Sequence, residues 1–114
     1  MKVRCELDVQ VVMGSVSHNN TGLQGYLPDG TSYKDVVRVF GEPQWCGRTP
    51  DEKIKVEWNG RINGITFTIY DYKSKVDPKD NTDWHIGGKL KFTAELVNLY
   101  FKKMKEINTN AVRG

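Results

Sequence analysis

The run Thr82-Asp83-Trp84-His85-Ile86-Gly87-Gly88-Lys89 sets an indole and an imidazole beside two glycines and an ammonium group. Flat rings stack on bases, and glycine lets a backbone approach a ligand closely and present its amides. The chemistry this points to is binding of a flat, nucleotide-like anion, with Trp84, His85, Gly87, Gly88 and Lys89 as contacts. The competing reading is a turn in which Trp84 anchors the core and the two glycines supply positive φ. A second set lies upstream at Tyr70, Tyr72 and Lys73. The two tyrosines alternate with residues expected to be buried, so their rings fall on the opposite side of the strand. They form a stacking platform if that side is open, and ordinary core aromatics if a helix covers it. Lys55 and Arg61 flank the same hairpin and would add cations for phosphates.

Catalysis needs a nucleophile with its base, a pair of carboxylates in range, or metal ligands. His85 could act as acid or base with Glu57 or Asp71, but nothing in the spacing joins them. No catalytic residue is assigned. Cys5 and Cys46 lack the paired spacing of a zinc site, and His18 and His85 lie too far from them to complete one. Phosphate-loop and dinucleotide fingerprints are absent, so neither a metal nor a cofactor is expected.

The chain's 114 residues suffice for one small domain with a single core, 1–114, with 109–114 expected to fray. Its 17 basic and 14 acidic residues leave a net charge of +3, far below that of a dedicated duplex-DNA binder. No apolar run approaches the ~20 residues of a membrane span. The N-terminal Met1-Lys2-Val3-Arg4 is not of signal-peptide type, so a cytoplasmic protein with reduced cysteines is expected.

The elements that must position these residues follow from periodicity. Residues 2–13 alternate, with Val3, Cys5, Leu7, Val9 and Val11 on one face, which predicts a half-buried strand. Gly14 to Gly30 reads as a long loop around the apolar island Leu23-Gln24-Gly25-Tyr26-Leu27. Thr31 or Ser32 caps a short helix whose stripe is Tyr33, Val36, Val37 and Phe40, ended by Gly41 and Pro43. Gln44 to Lys53 reads as a polar connection.

Two turns, Asn59-Gly60 and Asn63-Gly64, compete for the next hairpin. The second pairs Ile62 with Ile65, Gly60 with Phe67 and Trp58 with Ile69, keeping the faces unmixed. Val56, Trp58, Ile65, Phe67 and Ile69 then face the core, and Lys55, Glu57, Thr66, Thr68, Tyr70 and Tyr72 the other side. After a charged loop at 74–83 and an extended piece from Lys89 to Phe92, Thr93 is expected to cap a last helix to 107. Leu96, Val97, Tyr100, Phe101, Met104 and Ile107 form its stripe. The fold class is α+β, one antiparallel sheet with a central hairpin and two helices. A Tyr100, Phe101 and Met104 edge left uncovered on the last helix predicts a homo-oligomer.

Five boxes in order carry a resemblance. They are Thr21-Gly22-Leu23-Gln24-Gly25-Tyr26, Phe40-Gly41-Glu42-Pro43, Val56-Glu57-Trp58, Ile69-Tyr70-Asp71-Tyr72-Lys73 and Trp84-His85-Ile86-Gly87-Gly88. Across about residues 21–88 the chain resembles a family of small tailed-phage proteins of unassigned activity, with a shorter 74–83 loop than is usual there. The resemblance implies a phage or prophage origin and an accessory, host-facing role. Anti-defence proteins of this size divide into sponges for nucleotide-derived immune signals, such as cyclic nucleotides or cyclic ADP-ribose, and inhibitors that grip a host defence protein. The rings, glycines and cations favour the sponge, and the protein-directed inhibitor is the alternative.

Overall fold

The Asn63-Gly64 turn organises the sheet, because Asn63 (φ 50) and Gly64 (φ 79) both take the left-handed conformation that a two-residue hairpin of matching twist requires. The structure, a computed structural model, describes residues 9–14, 22–47 and 53–113. Strands β4 (Val56–Ile62) and β5 (Ile65–Tyr70) pair in the expected register, with Ile62 opposite Ile65, Gly60 opposite Phe67 and Trp58 opposite Ile69. Four shorter strands complete a six-stranded antiparallel sheet: β1 (Val11–Met13), β2 (Gly22–Tyr26), β3 (Trp45–Cys46) and β6 (His85–Gly88). The order is β1-β4-β5-β6-β2, and β3 pairs with β4 further along the edge that β1 also uses. Between those two short strands the N–H of Asn59 donates to the Gln44 side-chain carbonyl at 2.8 Å, so the β4 edge stays satisfied. Most of the strand expected at 2–13 lies outside the described residues. Its end is β1, tied to the hairpin by mutual hydrogen bonds between Gln10 and Asn63.

Helices α1 (Tyr33–Phe40) and α2 (Thr93–Arg113) pack on one face of the sheet. Ser32 caps α1 in a reciprocal capping box with Asp35, and Gly41 (φ 84) ends it. Val36 and Phe40 of α1 meet Val97 and Phe101 of α2 over Trp58, Phe67, Ile69 and Ile86.

Several sequence expectations are corrected. The stretch read as a loop from Gly14 to Gly30 contains β2, whose register slips between Leu23 and Gly25, and a short bulged edge strand leaves no clean alternation to read. The connection from Gln44 contains β3. Lys89 to Phe92 is a turn, not an extended piece. Thr93 does not cap α2. It is fully buried beneath the sheet, and the Phe92 carbonyl accepts the Leu96 N–H. The helix runs on to Arg113, past the end expected at 107. Phe101 is not on an open edge: it is fully buried, stacked on Phe40 with ring centres 6.2 Å apart, while Tyr100 and Met104 are half-buried.

Candidate functional site

Directly opposed residues of neighbouring strands share a face, and the register builds one row across five strands. Trp45 lies opposite Glu57, Glu57 opposite Tyr70, Tyr70 opposite His85, and His85 opposite Tyr26. The row stands on the face of the sheet that neither helix covers, since the helices pack over the alternating set of Trp58, Ile69 and Ile86. Tyr72, two residues beyond the end of β5, adds a third ring around His85.

The imidazole is the hub. Its centre lies 4.9 Å from that of Tyr26, edge to face, and 5.4 Å from those of both Tyr70 and Tyr72. Its side chain is only 13% exposed, whereas Tyr26 remains 49% and Tyr72 37% exposed. The rings offered to a ligand are therefore the two tyrosines, and His85 holds them in place. Asp83 approaches the His85 Nε2 at 3.9 Å. Burial pushes the Tyr70 hydroxyl above its ordinary pKa, with the neighbouring Tyr72, Glu57 and Tyr26 adding to the effect, so it stays a neutral donor.

Gly87 makes this arrangement fit. A Cβ there would lie 2.5 Å from the Thr68 hydroxyl and 3.3 Å from the Tyr70 ring, so the bare backbone leaves room for both side chains beside β6. Behind the rings the face is polar but closed. Glu57, Asn59 and Thr68 are each buried, and the Asn59 amide donates to the Glu57 carboxylate at 3.2 Å. Glu57 and Thr68, expected on the face opposite the core, do lie there but are buried.

Of the eight residues singled out in the sequence, the fold brings together Tyr70, Tyr72, Lys73, His85 and Gly87. Lys73, itself in the left-handed conformation (φ 53), holds its ammonium 5.5 Å from the centre of the Tyr72 ring. Trp84 goes to the other side. It is 1% exposed, packs edge to face on Trp58, and donates its indole N–H to the Thr31 carbonyl at 2.9 Å. Gly88 also faces the helices, under Thr93. Lys89 is exposed past the far end of β6, about 13 Å along the strand from His85.

The other expected cations are elsewhere too. The Lys55 ammonium donates to the Ser74 and Val76 carbonyls, and Arg61 sits four residues along β4 from the row. Among the described residues the site therefore carries Lys73 as its nearby lysine, with strong stacking capacity. His85 and Glu57 are separated by the intervening Tyr70, and Asp71, fully buried, accepts the N–H groups of Lys55 and Val56. No His85–carboxylate pair of acid–base type is assembled with either residue.

Sequence reasoning missed Tyr26 and Trp45 as members of the row, and placed Glu57 on the face of Tyr70 without including it in the site. The signal that joins them is strand register, which no single segment contains. Among the described residues there is no cluster of side chains suited to a metal ion, and no helix is long and apolar enough to cross a membrane. Compared with family models, with curated proteins and with solved structures, the chain matches none.

Proposed function

We propose that this protein is a non-catalytic binding module that sequesters a nucleotide-derived small molecule on the tyrosine and histidine face of its sheet. The observation that carries the reading is the packing of Tyr26, Tyr70 and Tyr72 around His85, with centres within 5.4 Å of the imidazole, on the face neither helix covers. A base stacks on the exposed Tyr26 and Tyr72 rings, and the Lys73 ammonium beside Tyr72 meets the negative charge of the ligand. With Lys73 the one lysine beside the rings among the described residues, stacking contributes more to affinity than charge does. The resemblance to small tailed-phage accessory proteins supports sequestration of an immune signal, a cyclic nucleotide or cyclised ADP-ribose, in the cytoplasm of an infected host.

Calorimetry against a panel of cyclic nucleotides and cyclic ADP-ribose isomers tests this. One member of the panel binds, and Tyr72→Ala weakens it by about one to two decades, the scale of a lost base–ring stack. Tyr72 follows the end of β5 and is partly exposed, so the variant keeps its fold. Silence across the panel, with a host polypeptide co-purifying at fixed ratio, replaces this reading with direct inhibition of a host protein.

A further inference from the structure

The outward side of α2 carries Glu95, Leu99, Lys102 and Glu106, all exposed and spaced by four, three and four residues, so they lie on one helix face opposite the buried Val97 and Phe101. Two of their charges, opposite in sign, are arranged symmetrically about the midpoint between Asn98 and Leu99. Glu95 and Lys102 are equally far from that point. A two-fold axis through this midpoint would set Glu95 of one copy against Lys102 of the other, twice. An isologous interface requires this self-complementarity.

Beside this face, between α2 and the edge strand β2, runs a groove of about 470 Å³, lined from the strand by Gly25 and Tyr26 and from the helix by Asn98, Leu99 and the same Glu95 and Lys102. Small residues form its floor. Gly25 admits α2 so closely that a Cβ would meet Ala94. Leu99, 50% exposed on the rim, is of a size to enter the equivalent groove of a second molecule. The Asn98 amide donates to the Tyr26 carbonyl at 2.8 Å, and its own oxygen is buried with no partner among the described residues. The strand edge is also broken by the bulge at Gln24, whose side-chain amide donates inward to the Gly88 carbonyl. A bulged and capped edge is a poor template for an added strand, which leaves a helix as the better occupant.

We infer that two copies of this chain dock antiparallel through the outer face of α2, each placing Leu99 in the groove between β2 and α2 of the other, with reciprocal Glu95–Lys102 pairs. The dimer is distinct from the edge of Tyr100, Phe101 and Met104 expected from periodicity. It leaves the stacking face of the sheet outside the interface except at Tyr26, which borders both.

Light scattering and sedimentation over a concentration series, with circular dichroism as a control for folding, test the arrangement. The native chain sediments at twice its 13.0 kDa mass. Glu95→Lys sets like charges against each other at both symmetric contacts and weakens the dimer roughly tenfold. Lys102→Glu does the same, and the double reversal Glu95→Lys/Lys102→Glu restores the native affinity. Leu99→Asp weakens the dimer roughly hundredfold. All three positions are exposed, so the variants fold. In a background with Cys5 and Cys46 replaced by serine, Leu99→Cys cross-links to itself under oxidation because it lies next to the axis. A 13.0 kDa species at every concentration overturns the proposal. So does a dimer indifferent to Leu99→Asp, or one that the double reversal fails to rescue, since it would use another surface or another orientation.

Discussion

A methyl group added at Gly25 would lie 2.7 Å from the Ala94 Cβ, where β2 runs beneath the first turn of α2. Two carbons settle at about 3.5–4.0 Å, so Gly25→Ala forces strand and helix apart by roughly 1 Å. No positive φ is involved at this position, and the cost is therefore steric. Overpacking of this kind costs about 1–3 kcal/mol, and the entropy alanine removes from the unfolded chain offsets about 0.4–1 kcal/mol. The net loss is roughly 1–2 kcal/mol, which at a urea slope of about 1–3 kcal/mol/M moves the unfolding midpoint down by about 0.5–1 M with the slope unchanged.

Ala94→Gly alone also destabilises, by about 1.5 kcal/mol, through a lost buried methyl and a poorer helix former. The double variant moves the methyl from helix to strand and removes the clash. It is expected to be more stable than the sum of the singles by about 1 kcal/mol, a coupling that distant sites do not show. An unchanged midpoint for Gly25→Ala, or strict additivity in the double variant, would refute the close packing of β2 under α2.

Trp84→Ala removes a ring that is 1% exposed and its hydrogen bond to Thr31, and is expected to cost about 3–5 kcal/mol in denaturant unfolding, so any loss of ligand binding follows loss of fold. Gly64→Ala meets no neighbouring atom within 4 Å, yet costs roughly 1–2 kcal/mol because its φ is +79; Gly64→Asn is milder at the same position. The Asp35 carboxyl is raised by partial burial but lowered more by the Ser32 N–H and the Lys105 ammonium 3.4 Å away, so its pKa falls below the ordinary 3.8. Its contribution is complete above that value and is lost as pH falls through the depressed one, so Asp35→Asn should flatten the acid limb of a stability–pH profile.

The sequence by itself determined the hairpin, its turn and its register, because alternating apolar residues around Asn63-Gly64 leave a single pairing that keeps Trp58, Phe67 and Ile69 on one face. It determined α1, with Gly41 as its end and its cap narrowed to Thr31 or Ser32, and the α+β class, since capping and helical periodicity are local properties. It also placed Tyr70 and Tyr72 opposite the core.

Three things waited for the tertiary structure. Strands β2 and β3 are too short and irregular to announce themselves, and they exist because β6 and β4 offer unpaired edges. The sidedness of residues 84–88 depends on the sheet: strand alternation sends Trp84, Ile86 and Gly88 to the helices and His85 and Gly87 to the open face, dividing a run that looks continuous in sequence. The joining of Tyr26 to Tyr70 through His85, across more than forty residues of chain, follows from backbone hydrogen bonds between strands, which depend on neighbours in space and not on neighbours in sequence.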